Sequence, residues 1–215
     1  MTGLPHLPAP RPAALVVPVK AFGAAKARLA PVLDPEARAE LARAMASTVL
    51  RAGGRLLPHV VCDDEAVRAW AEQEGAEVVW TPDLGLNGAI EAALAHLARR
   101  GVVRAVVAHA DLPLAADLEW LADFDGVTLV PDRHRDGTNV LALPTGLGFR
   151  FAYGAGSFRA HWAEAARHGA TVRIVADPAL AWDVDVPADL EGPGHPAFPP
   201  AVASLAARAR PTAEV

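Results

Sequence analysis

Three acidic elements carry residue types and spacings suited to chemistry: Ala110-Asp111-Leu112-Pro113, Asp136-Gly137-Thr138-Asn139 and Asp183-Val184-Asp185. The first closes the apolar run Val102 to Ala108, and the third follows Leu180 to Trp182. A carboxylate at the end of a buried strand is poorly solvated and favours a positive occupant. A divalent cation shared with a phosphate substrate has the right charge. Asp183 and Asp185 lie two apart on an extended segment, so their side chains share a face. There each raises the other's pKa unless a cation sits between them. The plainer alternative is local, with Asp111 in a turn and the Asp183/Asp185 pair capping a helix that opens at Pro187. Asp189 reads as a helix cap or a solvated side chain.

Positive charge gathers early in the chain. Lys20, Lys26 and Arg28 follow the first apolar run, and no Asp or Glu precedes Asp34. In a parallel sheet the loops at the carboxyl ends of strands line the ligand crevice. Three cations there can neutralise a triphosphate, whose leaving pyrophosphate gathers charge during transfer. A solvated basic loop is the competing reading. Thr138 and Asn139, after Gly137, offer a hydroxyl and an amide to a carboxylate or phosphate. Gly154 and Ser157 lead into a helix whose first N–H groups can hold an anion, although Ser157 can equally be an ordinary N-cap. His161, on the same helical face, reads as a packed histidine. Asn87 and Gly88 can approach a base or ribose, or form a turn and cap.

Other chemistries are absent by pattern. There is no G-x-x-x-x-G-K-[ST], no G-x-G-x-x-G after the first strand, no G-x-S-x-G and no H-E-x-x-H. Cys62 is the only cysteine, so neither an internal disulfide nor a thiolate zinc site can form, and a reducing, cytoplasmic setting fits. A net charge of -5 argues against nucleic acid as partner, and no apolar run is long enough to span a bilayer.

These residues need a frame that brings them to one edge. Ala13 to Val19 is a Val-rich first strand, and Lys20 to Leu33 a loop. Asp34-Pro35 opens a helix that runs to about Ala52, before Gly53-Gly54. Strands follow at 59–62, 77–80, 102–108, 127–130, 140–143 and 171–175. Helices are expected at 64–74, 86–100, 118–124 and 157–168, with a short one from Pro187. The alternation predicts an α/β fold in a single domain over 13–191: a mostly parallel central sheet with helices on both faces and an antiparallel insertion near the cleft. At 215 residues the chain is long enough for one such domain and short for two. Residues 1–12 read as a flexible leader, and 192–215 as a Pro/Ala-rich tail with at most one loose helix.

Taken together, Val-Pro-Val-Lys…Ala-Lys-Ala-Arg-Leu, Leu-Asn-Gly-Ala-Ile, Ala-Asp-Leu-Pro-Leu, Asp-Gly-Thr-Asn-Val-Leu, Tyr-Gly-Ala-Gly-Ser-Phe…His and Asp-Val-Asp-Val-Pro-Ala-Asp-Leu resemble the guanylyltransferases of coenzyme F-420 biosynthesis. These act on 2-phospho-L-lactate or phosphoenolpyruvate. The resemblance runs from about Leu15 to Leu190 and departs at Ala27, His109 and Trp182. It implies a nucleotidyltransferase domain related to nucleotide-diphospho-sugar transferases, and GMP transfer from GTP to a small phosphorylated three-carbon acid. By position it implies Mg²⁺ on Asp111, Asp183 and Asp185. Thr138, Asn139, Gly154 and Ser157 would hold the acceptor, and Lys20, Lys26, Arg28, Asn87 and Gly88 the nucleotide. A downstream transferase would take the product, and a homo-oligomer is compatible. The rival readings are a molybdopterin or sugar-phosphate acceptor, and a non-catalytic nucleotide-binding relative.

Overall fold

Valine-rich runs interrupted by proline, glycine or charge fold as strands, and the alanine-rich stretches between them as helices. The computed structural model describes residues 12–190 and 198–209. Its strands are β1 (Ala13–Pro18), β2 (Leu57–Cys62), β3 (Glu77–Trp80), β4 (Arg104–Ala108), β5 (Val127–Pro131), β6 (Thr138–Pro144) and β7 (Val172–Ile174). The α-helices are α1 (Pro35–Ala52), α2 (Glu65–Gln73), α3 (Gly85–Arg99), α4 (Ser157–Arg167) and α5 (Pro200–Ala206).

The strands form one sheet in the order β3-β2-β1-β4-β6-β5-β7. β6 runs antiparallel to both neighbours, while the other pairings are parallel. This reversal matters for the site. It brings the amino end of β6, with Thr138 and Asn139, to the edge where the other strands end.

Both faces are covered, as a sheet buried on two sides requires. Leu15, Val17, Val60 and Val106 pack with Val49 of α1 and Trp70 of α2. The alternate residues Val16, Val61 and Val107 pack with Ile90 and Leu94 of α3 and Ala165 of α4. Caps set the helix starts: Asp34 accepts from the Ala37 amide at 2.8 Å, and Asp64 from the Ala66 and Val67 amides at 3.0 Å each.

Local differences from the sequence expectations have simple causes. The helix expected at 118–124 is a 3₁₀ segment, Glu119–Asp123. β4 starts at Arg104 because the Val102 amide closes the end of α3 on the Leu97 carbonyl, and the Val103 amide bonds the Pro12 carbonyl. Of the expected leader, residues 1–11 lie outside the described residues. Within the expected tail, α5 is docked rather than loose. Val202 is fully buried in a third cluster with Leu41 and Met45 of α1, Leu29, Val184 and Leu190. That cluster binds the chain's end to the segment carrying Asp183 and Asp185.

Val202→Asp would place an unpaired carboxylate in this cluster. Urea unfolding should show a loss of about 2–5 kcal/mol, and a loss below about 0.5 kcal/mol would mean that α5 contributes nothing to the core.

Candidate active site

The loop after β1 reaches the loop after β4. Lys26 sits in the left-handed region at φ 54, held there by 3₁₀ turns on either side. Its Nζ lies 2.5 Å from Asp111 Oδ2, and both side chains are largely withdrawn from water. Asp111 is fixed from behind by fully buried Leu112. Its backbone carbonyl accepts the Val184 amide at 3.2 Å, which joins the first acidic element to the third. Arg28 pairs with Asp185 at 2.6 Å on the exposed side. Arg133 donates to the Asp183 carbonyl at 2.8 Å and contacts its Oδ1 at 3.4 Å, where Asn139 Nδ2 also lies at 3.4 Å. Lys26, Arg28 and Arg133 thus face Asp111, Asp185 and Asp183 respectively.

Electrostatics tie Asp111 to Asp183. Burial lifts the Asp183 carboxyl above its ordinary range, and the Asp111 charge lifts it further, against Arg133 and Asn139. Burial also opposes ionisation of Asp111, but the charges of Lys26 and His109 outweigh it and hold that carboxyl below the ordinary range. The neighbour acting on Asp183 is therefore Asp111, across the fold, rather than Asp185 two residues away. Asp111 Oδ1 is buried without a hydrogen-bond partner among the described residues. An unsatisfied carboxylate oxygen beside a second carboxylate of raised pKa is an arrangement that a cation would relieve.

The three aspartates do not converge on one point here. Among the described residues no three His, Cys, Asp or Glu side chains form a group able to hold a metal ion. The observed relation is a pair, Asp111 with Asp183, flanked by an Asp185 that faces Arg28.

A cavity of about 220 Å³ opens beside Asp111. Apolar Val19, Val61, Leu86 and Ala89 line it, together with Lys20, Asp63, Thr81, His109 and Asp111. It lies where the strand order turns back, with β2 on one side of β1 and β4 on the other, the switch point at which open α/β sheets bind ligands. Asn87 and Gly88 were expected on this surface, but its wall is Gly85, Leu86 and Ala89. Asn87 instead accepts the Tyr153 amide at 2.8 Å and anchors the loop before α4.

The expected acceptor residues divide. Asn139 reaches Asp183, but its amide mainly serves the Leu180 carbonyl at 3.0 Å. Thr138 and Ser157 are buried, and Gly154 is exposed. Ser157 is not the N-cap of α4, a position held by Gly156 at φ 72. The anion position there is partly filled from within: Asp136 accepts the Gly156 amide at 3.1 Å through its carboxylate and the Phe158 amide at 3.0 Å through its carbonyl. In the turn before β6, a Cβ at Gly137 would lie 2.8 Å from Asp132 Oδ2 and displace the carboxylate that accepts the Asp136 and Gly137 amides.

His161 is more than packing. Its Nε2 accepts the Ala152 amide at 3.0 Å, so the proton must sit on Nδ1, which donates to Thr138 Oγ1 at 3.0 Å. Burial, helped by His109, pushes its pKa down to about 4. Arg133 went unrecognised in the sequence because Asp132-Arg133-His134-Arg135 reads as a polar turn, and its partners lie some fifty positions away.

A family model described as Guanylyl transferase CofC like matches residues 13–192. A phosphoenolpyruvate guanylyltransferase of Sphaerobacter thermophilus is 37% identical over 185 residues, covering 82% of this chain and 89% of that protein. One from Rubrobacter xylanophilus is 38% identical over 184 residues, covering 81% and 90%. Among solved structures, a Desulfovibrio desulfuricans G20 protein described as a nucleotide-diphospho-sugar transferase superposes with TM-score 0.66 at 16% identity, covering 82% of this chain and 84% of its own. A Leptospira borgpetersenii cytidylyltransferase gives 0.56 at 12% identity, covering 82% of each chain. These two structures share the fold.

The tautomer of His161 has a consequence for acid stability. Unfolded histidine binds a proton near pH 6.5, whereas the folded group does so only near 4, so stability falls as pH drops between those values. The loss should approach about 3 kcal/mol at 1.36 kcal/mol per unit. His161→Gln can bridge the same two partners without titrating. Melting curves from pH 7 to 4 should show a shallower decline for that variant, and equal slopes would refute a neutral buried His161.

Proposed function

The chain belongs to the CofC-like guanylyl transferase family, and from that premise we propose that it transfers GMP from GTP to the phosphate of phosphoenolpyruvate, releasing pyrophosphate. The observation that carries the reading is the junction at Asp111: one side chain meets Lys26 of the basic loop while its carbonyl holds Val184 between Asp183 and Asp185. Two anions must approach each other for this reaction. Only a site that gathers charge of both signs makes that approach favourable.

In the proposed mechanism an acceptor phosphate oxygen attacks the α-phosphorus of GTP in line. The new P–O bond forms as the bond to the β-phosphate oxygen breaks, and that oxygen leaves with the electron pair as pyrophosphate. No base is required, because a phosphate monoester near neutral pH is already ionised. The apolar cavity takes the guanosine, and Lys20 on its rim faces the phosphates. Lys26 and Arg28 hold aspartates until the triphosphate arrives, then turn to its oxygens. The Arg28 pair is exposed, so its rupture costs little, at most about 1 kcal/mol.

Magnesium fits the donor set at Asp111 and Asp183, with Asp185 alongside, and when bound it would supply charge neutralisation between the two anions and on the departing pyrophosphate. The acceptor lies against the exposed Gly154 loop, with Thr138 and Ser157 behind it shaping that wall. Phosphoenolpyruvate is favoured over 2-phospho-L-lactate by the activity of the two bacterial relatives described above. The product passes to a downstream transferase of coenzyme F-420 biosynthesis in the cytoplasm.

Purified protein given GTP, Mg²⁺ and phosphoenolpyruvate, with a trapping transferase, should release pyrophosphate stoichiometrically with GTP consumed. Asp111→Asn should lower kcat at least about 100-fold while retaining the fold. Pyrophosphate release by that variant at the wild-type rate would contradict the reading.

A further inference from the structure

The segment carrying Asp183 and Asp185 belongs to neither a helix nor a strand. No ladder of backbone hydrogen bonds holds it, although Asp183 must stand beside Asp111 across the fold. Two side chains and one loop carbonyl replace that ladder. Arg133 Nη1 takes the Asp183 carbonyl at 2.8 Å. Asp111's carbonyl takes the Val184 amide at 3.2 Å. Asp189 Oδ2 takes the Asp185 amide at 2.6 Å and the Val186 amide at 2.8 Å. The remaining Asp189 oxygen closes the circuit by accepting from Arg133 Nη2.

Arg133 is itself immobilised. Its amide bonds the Ala181 carbonyl at 3.0 Å, and its guanidinium lies 4.7 Å from the centroid of the Trp182 ring. Asp189 is 3% exposed, far more than a one-turn helix cap needs to be buried. A planar fork suits this geometry, because one guanidinium reaches the carbonyl of Asp183 and the carboxylate of Asp189 at once; an ammonium has no such fork. Below the segment, fully buried Val184 plugs the third core cluster and fixes its depth. Between them these contacts assign a partner to the Asp183 carbonyl and to three successive amides.

The geometry points to Arg133 and Asp189 as positioning residues, a clamp that holds the segment carrying Asp183 and Asp185 against Asp111; this rests on the proposed metal-binding role of those three aspartates. The clamp touches neither substrate nor reacting atoms. It acts mainly through the backbone of 183–186, with one further contact at 3.4 Å from Arg133 Nη1 to Asp183 Oδ1. Groups that orient metal ligands in this way typically contribute 10- to 100-fold to metal affinity.

The test is Mn²⁺ uptake by the full chain without turnover, followed by loss of the free-Mn²⁺ EPR signal in wild type, Arg133→Lys, Asp189→Asn and Asp183→Asn. Arg133→Lys leaves both amide bonds to Asp189 intact, so it removes the fork and keeps the cap. Melting curves without metal confirm folding, and Arg133→Lys decides the matter if Asp189→Asn does not fold. Mn²⁺ affinity lower by about 10-fold or more in the folded clamp variants, alongside loss in Asp183→Asn, supports the clamp. Wild-type affinity in the clamp variants with loss only in Asp183→Asn overturns the clamp and leaves the metal reading standing. Equal uptake by wild type and Asp183→Asn overturns the metal reading and the clamp with it.

Discussion

Carboxylates gathered at the edge of a buried sheet repel one another and lose hydration, and the architecture of this protein turns on how that cost is met. Asp111, Asp183 and Asp185 each face a basic side chain from a distant part of the chain: Lys26, Arg133 and Arg28. The balance is incomplete where the groups are most enclosed. Asp111 keeps one oxygen without a partner among the described residues, and Asp183 is pushed towards protonation by burial and by Asp111. A site left short of positive charge in this way is ready for a cation, and a site whose own cations can leave is ready for phosphates.

The fold serves this arrangement by reversing one strand. Six strands deliver their carboxyl ends to one edge, and β6 alone delivers its amino end there. Loops after β1 and β4, the turn before β6 and the segment after β7 therefore share a small region, although they span most of the chain. Behind them, the third cluster joins α1, the 3₁₀ turn at Leu29 and α5 to Val184. Depth in the core thus fixes the position of the acidic segment at the surface.

Much of this was legible in the residues. Val102 to Ala108 followed by Asp111 and Pro113 marks a central strand with a carboxylate beyond it, and Asp34-Pro35 marks the start of α1. The motif order also identified the family. What escaped were features that depend on contacts remote in sequence. Arg133 looks like one charge in a polar turn until Asp183 and Asp189 arrive from some fifty positions away. Asn87 looks like a ligand contact, but the Tyr153 amide claims its carbonyl. Asp189 resembles a cap, and it is one, yet its second oxygen serves Arg133. Local pattern assigns a residue type to an element; only the folded chain says which of its hydrogen-bonding atoms are already taken.

The most direct measurement is anomalous diffraction from crystals containing Mn²⁺ and a GTP analogue with a non-cleavable α–β linkage. The account predicts a metal peak about 2 Å from oxygens of both Asp111 and Asp183, with Lys26 Nζ moved from Asp111 to a phosphate oxygen. A metal bound away from both carboxylates, with the Lys26–Asp111 contact intact beside bound nucleotide, would contradict it.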